Sequence, residues 1–240
     1  RVTNRHCYWK NVLGAIVDGA QKRFDLNDEG ETVIDLLEEA ENSEHDVLIF
    51  KRMYSCHELV LEELELSEGS SLMPAAKRPN RRIEVYGDSV SAGEVSEAVS
   101  YIGKEDPEHN GEYSNSWYSY AWIAARKLNA EIHDIAQGGI ALLDGTGWFQ
   151  EPAYIGMETV WDKVHYNPAF GKMTEWNFTE YIPQVVIVAI GQNDSHPDDY
   201  MKREPDVEKA LLWKDRYSIF LKNIREKYPN AYIVCCTTLL

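Results

Sequence analysis

Arg82-Ile83-Glu84-Val85-Tyr86-Gly87-Asp88-Ser89-Val90-Ser91-Ala92-Gly93 is the stretch of sequence that decides the fold of this chain. A β-leaning run ends at Gly87, and mostly small residues follow it. We predict a buried strand that breaks at Gly87 and turns sharply toward a helix. Such a turn places the Ser89 hydroxyl at the carboxyl end of the strand, where open α/β sheets bind their ligands. The alternative is that Asp88 and Ser89 only cap the helix.

Three further strands are predicted downstream, at 131–136, 185–190 and 231–237, with helices at 116–128 and 206–228. One apolar stripe of the first helix is expected to face the core: Trp117, Tyr120, Ala121, Ala124 and Leu128. Strands that alternate with helices are typical of a parallel sheet with helices on both faces. We therefore predict an α/β domain over residues 81–240, built on a three-layer, doubly wound parallel sheet of the flavodoxin-like type.

Residues 1–76 have a different pattern, in which short strands alternate with turns. Asp18-Gly19 follows an apolar run and is a strong hairpin signal. The runs 45–52 and 57–66 are predicted to be paired strands. We predict a small antiparallel β-sandwich of the jelly-roll type, incomplete, with its first strands expected before Arg1. Residues 67–80 are predicted to form the linker between the two domains.

Two later turns accompany Ser89 at the predicted sheet edge. Gly139 follows the 131–136 strand, and Asn193 follows the 185–190 strand. Because the carboxyl ends of parallel strands share one edge, these residues are expected to converge. A hydroxyl nucleophile, a glycine N–H that a ligand can approach and an amide donor are the groups that acyl transfer needs.

The set Gly87-Asp88-Ser89, Gly139 and Gly191-Gln192-Asn193-Asp194 resembles the first three motif blocks of the SGNH (GDSL-type) hydrolases. Together with the preceding β module, the chain resembles carbohydrate esterase family two. The resemblance implies an acetyl esterase that pairs a jelly-roll domain with an SGNH domain and deacetylates plant-wall polysaccharides such as acetylxylan.

The resemblance also implies residue roles. Ser89 is the nucleophile, and the oxyanion hole comprises the N–H groups of Ser89 and Gly139 and the side chain of Asn193. Asp88 and Asp194 are expected to hold the turns. The second block departs from the usual pattern at Asp134, which leaves Gly138 as a weaker rival to Gly139.

Trp148 lies in the segment 145–149, close after Gly139, and is a candidate to stack on a sugar ring. An ordinary packing role is the alternative.

The general base is the missing part of this pattern. The superfamily places a histidine in a late Asp-x-x-His segment, and no histidine follows His196 here. Three explanations compete: the chain is a fragment, a local histidine substitutes, or the protein no longer turns over. His196 is the local candidate. We expect a fragment whose natural protein continues for on the order of 80–120 residues, bringing the domain nearer its usual size. The 240-residue chain alone is then expected to be poorly soluble or inactive.

The net charge of the chain limits the classes of molecule that it is expected to bind. A formal net charge of −16 argues against nucleic acid or an anionic membrane, and favours a neutral substrate such as an acetylated poly- or oligosaccharide. No metal or cofactor is expected. The four cysteines lack zinc-ligand spacing. We expect Cys235 and Cys236 to be buried free thiols. A disulfide between Cys7 and Cys56 is an alternative that the sequence does not decide. The family implies an extracellular location, with a cytoplasmic one as the alternative; the oligomeric state stays open.

The sequence thus predicts a serine ester hydrolase that removes O-acetyl groups from a carbohydrate. Two alternatives stay open: a GDSL-type esterase or lipase that acts on another small acyl ester, and a non-catalytic carbohydrate-binding protein that keeps the SGNH cleft.

Overall fold

The computed structural model describes residues 1–37, 43–203 and 207–236. Its strands are β1 (Val2–Arg5), β2 (Val12–Val17), β3 (Ala20–Asp25), β4 (Glu31–Thr32), β5 (Val47–Lys51), β6 (Glu58–Leu61), β7 (Arg81–Gly87), β8 (Ala130–Ala136), β9 (Lys163–His165), β10 (Thr174–Glu175), β11 (Val185–Ala189) and β12 (Tyr232–Cys235). Its α-helices are α1 (Ser89–Ala92), α2 (Tyr120–Lys127), α3 (Met157–Val160), α4 (Tyr200–Arg203) and α5 (Glu208–Lys227). Asp206 and Thr237, the predicted ends of a helix and a strand, lie outside the described residues.

Four parallel strands form the central sheet, in the order β12-β11-β7-β8. All four were predicted as strands, to within one or two residues at the described ends. The chain starts in the middle of this sheet, adds β8 on one side and then β11 and β12 on the other. The order therefore reverses between β7 and β11, which is where open α/β sheets form their binding crevice.

A helix packs against each face of this sheet because side chains alternate along its strands. Ile83 and Val85 of β7 pack with Ala121 and Ala125 of α2. On the opposite face, Tyr86, Val186 and Val188 pack with Phe220 and Ile224 of α5. The α/β part of the fold prediction is confirmed by this layering.

The predicted apolar stripe of the first helix is partly wrong. The helix proper begins at Tyr120, after a 3-10 turn at Ser116–Tyr118, and its buried residues are Ala121 and Ala125. Tyr120 and Leu128 of the predicted stripe are exposed. Two alanines one turn apart let α2 approach the sheet closely, so the larger side chains lie at the rim of the contact.

The N-terminal part contains two three-stranded antiparallel sheets, β4-β1-β6 and β3-β2-β5. The hairpin at Asp18-Gly19 is confirmed, and both residues have positive φ. The predicted pairing of 45–52 with 57–66 is wrong, because β5 pairs with β2 and β6 pairs with β1. Val2, Leu13 and Leu26 form the small core that the two sheets share.

Polar contacts join the antiparallel sheets to the parallel sheet. The Ser55 backbone N–H donates to the carbonyl of Ala136, at the carboxyl end of β8, over 3.0 Å. The Arg52 guanidinium, which is buried, forms an ion pair with Glu97 in the loop that follows α1. The N-terminal sheets therefore pack against the edge where the parallel strands end. The division of the chain into two domains stays a prediction.

One strand of the parallel sheet lacks cover on one face. Tyr232 and Val234 of β12 share the α2 side of the sheet and are 77% and 45% exposed. The expectation of buried thiols is also wrong: Cys235 is exposed and Cys236 is half-buried, although both are free, and β12 is the outermost strand on its side of the described sheet. No helix among the described residues is long and apolar enough to span a bilayer.

Candidate active site

The strand register brings the three predicted turns together. Gly87, the last residue of β7, pairs with Ala136 of β8 on one side and with Ala189 of β11 on the other. Neighbouring strands lie about 4.8 Å apart. Ser89, Gly139 and Asn193 therefore follow three adjacent strands within four residues of one aligned row, at the edge that the sequence predicted.

The Ser89 turn depends on a glycine and a cap. A Cβ at Gly87 would lie 2.0 Å from Ser91 Oγ, so only glycine fits there. The Asp88 carboxylate caps α1 by accepting from the Val90 N–H over 3.0 Å. Burial raises the pKa of Asp88 to about 6. The structural role expected for Asp88 agrees with this contact.

Ser89 itself lies at the first position of α1 and is half-buried. Its carbonyl accepts from the Glu94 N–H over 3.0 Å. Within the described part of the chain, neither its hydroxyl nor its N–H has a hydrogen-bond partner. The hydroxyl and an N–H at a helix start are thus both available to a ligand.

The second turn requires glycine at two positions, Gly138 and Gly139. A Cβ at Gly138 would lie 2.4 Å from the Tyr54 ring, and Gly139 adopts φ +73°, which favours glycine. The Gly139 carbonyl accepts from the backbone N–H groups of Trp148 and Phe149, over 2.7 and 3.2 Å. Its own N–H has no acceptor among the described residues. The Gly138 N–H also has no acceptor among these residues, so the choice of Gly139 over Gly138 as an oxyanion donor stays a prediction.

Asn193 lies in the short 3-10 turn Gln192–Ser195 that follows β11. Its side-chain Nδ2 donates to the Ile140 carbonyl over 3.0 Å. This bond fixes the amide plane and uses one of its two hydrogens, so the second is free for a substrate oxygen.

Asp194 ties the second turn to the third. Its buried carboxylate accepts from the backbone N–H groups of Leu142, over 2.8 Å, and Leu143, over 3.2 Å. Burial raises its pKa, while these two bonds lower it. The carboxylate fixes the segment that carries Gly139 against the turn that carries Asn193, which agrees with the structural role predicted for it.

Trp148 and His196 form an exposed stack at the same edge. The Trp148 side chain is 54% exposed, and the His196 imidazole lies on it with ring centroids 3.3 Å apart. No hydrogen bond joins His196 to Ser89 within the described residues. The structure thus places His196 beside Trp148 and does not bring it to the serine hydroxyl.

A histidine that contacts the loop after α1 was missed by sequence reasoning. The His109 Nδ1 lies 2.8 Å from Glu94 Oε1, and the Glu94 backbone N–H donates to the Ser89 carbonyl. The Glu94 charge also helps to raise the pKa of Asp88. Glu94 and His109 both lie in a polar loop without regular periodicity, so no sequence signal links them.

Asp134, which departs from the superfamily pattern, faces α2 and lies away from these turns. The Trp122 Nε1–H donates to its Oδ2 over 3.0 Å, and burial raises its pKa to about 8. Among the described residues, no cluster of three or more His, Cys, Asp or Glu side chains could hold a metal ion.

The chain is similar to two curated proteins. It is 31% identical over 228 residues to the cellulase/esterase CelE of Acetivibrio thermocellus, covering 95% of this chain and 26% of that protein. It is 27% identical over 226 residues to the acetylxylan esterase / glucomannan deacetylase of Cellvibrio japonicus, covering 92% and 57%. The chain thus spans about a quarter of the first relative and just over half of the second. A comparison with protein-family profiles found no match.

The fold is similar to a solved structure from Clostridium thermocellum, described as a family two carbohydrate esterase in complex with cellohexaose. The TM-score is 0.77 at 28% identity, and the match covers 98% of this chain and 67% of that one.

Proposed function

We propose that this chain, which is related to the family two carbohydrate esterases, removes acetyl groups from a carbohydrate by way of an acetyl-Ser89 intermediate. The relationship predicted from the sequence motifs is confirmed by the sequence and structure similarities. One observation carries the proposal. The register of β7, β8 and β11 brings to one sheet edge the Ser89 hydroxyl, the N–H groups of Ser89 and Gly139, and the Asn193 amide; the hydroxyl and both N–H groups have no partner among the described residues. The N-terminal sheets are proposed to be a jelly-roll-type module, and the parallel sheet an SGNH-type doubly wound domain.

The proposed reaction has two halves. Ser89 Oγ attacks the acetyl carbonyl, and the oxygen that becomes negative accepts hydrogen bonds from the N–H groups of Ser89 and Gly139 and from Asn193. Collapse of this tetrahedral species breaks the C–O bond to the sugar, which leaves with a proton. Water then attacks the acetyl-serine, releases acetate and restores the Ser89 hydroxyl.

A general base must take the Ser89 proton, and the described residues show none in contact with it. We propose a histidine of an Asp-x-x-His segment, as predicted from the superfamily pattern. The exposed α2-side face of β12, with Tyr232 and Val234, is an apolar surface on which such a segment could pack.

An acetylated, neutral polysaccharide is the proposed substrate. One relative is named an acetylxylan esterase / glucomannan deacetylase, and the solved relative holds cellohexaose. Trp148 is the proposed sugar contact, since its indole is half exposed beside Gly139. The net charge of −16 fits an uncharged sugar chain better than a polyanion.

The test measures acetate release from acetylated xylan and glucomannan together with binding on a glycan array. Added imidazole is included as a diffusible base. We expect imidazole to raise acetate release by this chain, because the nucleophile and the oxyanion donors are in place and the base is limiting. Ser89→Ala should abolish that rise and leave glycan binding intact.

Ser195→Ala is the matched control, since Ser195 is an exposed serine at the same sheet edge. Binding without any Ser89-dependent release would support the non-catalytic carbohydrate-binding alternative. Release from small acyl esters but from no acetylated glycan would support the other esterase alternative.

A further inference from the structure

Cys7 and Cys56 lie on two segments that run side by side. The residues flanking Cys7, His6 and Tyr8, both place their rings against His57, with centroids 6.3 and 6.2 Å apart. His57 directly follows Cys56, so the ring contacts on both sides of Cys7 hold the segment of Cys7 against the segment of Cys56. The two thiols also act on each other's titration, since the Cys56 thiol lowers the pKa of Cys7 and the Cys7 thiol raises the pKa of Cys56.

The two thiols differ in their surroundings. Cys7 is exposed, and its Sγ accepts from the Asn167 Nδ2 over 2.8 Å, whereas Cys56 is buried. The hydrogen bond from Cys56, with that from Asn167, lowers the pKa of Cys7 to about 6. Burial raises the pKa of Cys56. Near neutral pH the accessible thiol is therefore the one that loses its proton, and a thiolate is the form that attacks disulfides.

We propose that Cys7 and Cys56 are a redox-active pair that closes to an intramolecular disulfide when the protein meets a small oxidised disulfide. The Cys7 thiolate attacks one sulfur of glutathione disulfide, and one glutathione leaves as its thiolate. Cys56, as its proton departs, attacks the Cys7 sulfur and releases the second glutathione. Two protein thiols are oxidised, and one glutathione disulfide is reduced to two thiols.

The bond would connect the β1–β2 loop to the segment that supports the second turn of the site. The Cys56 N–H donates to Gln137 Oε1 over 3.3 Å, and the neighbouring Ser55 N–H donates to Ala136. Gln137 immediately precedes Gly138 and Gly139. The crosslink therefore restrains the unfolded chain. It also fixes the segment that hydrogen-bonds Gln137, next to the Gly138-Gly139 turn.

The experiment incubates this chain with glutathione disulfide, blocks remaining thiols with iodoacetamide under denaturing conditions, and maps tryptic peptides by mass spectrometry. Cys7 falls in the peptide 6–10 and Cys56 in the peptide 53–77. We expect these two peptides to be joined and to separate after dithiothreitol. The oxidised protein should melt on the order of 5–10 °C above the reduced protein.

Cys235→Ser is the matched control, because Cys235 is an exposed thiol on β12, in a different part of the fold. It should keep both the joined peptides and the rise in melting temperature, whereas Cys7→Ser should lose both. Full alkylation of Cys7 and Cys56 in the oxidised sample would overturn the proposal. So would glutathione left on Cys7 alone, or a Cys7 bond to another cysteine or to a second chain.

Discussion

The two sides of the candidate active site differ in how firmly they are held. On one side, three sets of hydrogen bonds fix Gly139 and Asn193. Backbone N–H groups donate to the Gly139 carbonyl, the Asn193 amide donates to a backbone carbonyl, and the Asp194 carboxylate accepts from the segment that follows Gly139. On the other side, the Ser89 hydroxyl has no partner in the described part of the chain. The proposed oxyanion donors are therefore organised before any substrate arrives, whereas the proposed nucleophile has no base in contact with it among the described residues. Such preorganisation lets the donors stabilise the transition state without rearranging.

Asn193→Ala should produce the largest effect on this comparison. Loss of one preorganised oxyanion donor is expected to lower kcat by about 10²–10³-fold, with KM little changed, because the bond is strongest in the transition state. Steady-state kinetics of a preparation that hydrolyses acetyl esters measures it. Gln192→Ala, which changes the adjacent side chain, is the control and should stay near wild type. An unchanged kcat with a raised KM would contradict the role of Asn193 as an oxyanion donor and would make it an ordinary substrate contact.

Asp88→Asn tests how the turn that carries Ser89 is held, through the pH dependence of the free energy of unfolding. The folded pKa of Asp88 is raised to about 6 from 3.8, so the native state binds the proton more tightly than the unfolded state. Its stabilising contribution is present below about pH 4 and is lost as the pH rises to about 6. The free energy of unfolding of wild type, relative to Asp88→Asn, should therefore fall by about 2–3 kcal/mol between pH 4 and pH 7.

Denaturant unfolding at both pH values measures this difference. Asparagine can still accept the Val90 N–H, so the cap of α1 is kept in the comparison. A difference that does not vary with pH would mean that the Asp88 carboxyl is not held in a desolvated turn.

His196→Ala should give the smallest effect. Because the imidazole lies on Trp148 and does not contact Ser89, kcat should change by less than about threefold, as for an ordinary surface substitution. KM for a glycan substrate should rise if the stack orients Trp148. A loss of kcat by several orders of magnitude, together with loss of the acidic limb of the pH–rate profile, would show that His196 is the base.

The parallel sheet could be predicted from sequence because local signals agree there. The 185–190 run is continuously apolar and rich in β-branched residues, as buried parallel strands are, and the 82–86 run is β-leaning; a glycine follows each of them. The convergence of Ser89, Gly139 and Asn193 then follows from topology alone. Their roles stay predictions, but their common edge did not need the structure.

Other features depend on contacts that no local pattern records. The pairing of β5 with β2 and of β6 with β1 is set by the shared core of Val2 and Leu13. The His109–Glu94 pair forms only because a polar loop folds back over α1. The exposure of Cys235 goes with the position of β12 at the edge of the described sheet, although its apolar run predicted burial.

The segment that joins the antiparallel sheets to β7 has a consequence for survival among proteases. Residues 61–78 are exposed throughout and include a trypsin-type site after Lys77. Exposed tips of this kind are where chains are cut. The Arg52–Glu97 ion pair and the Ser55–Ala136 bond join the two parts by routes that bypass this segment. We expect a cut after Lys77 to leave the two pieces associated through these contacts, so that the peptide bond at this point is not needed to hold the folded parts together.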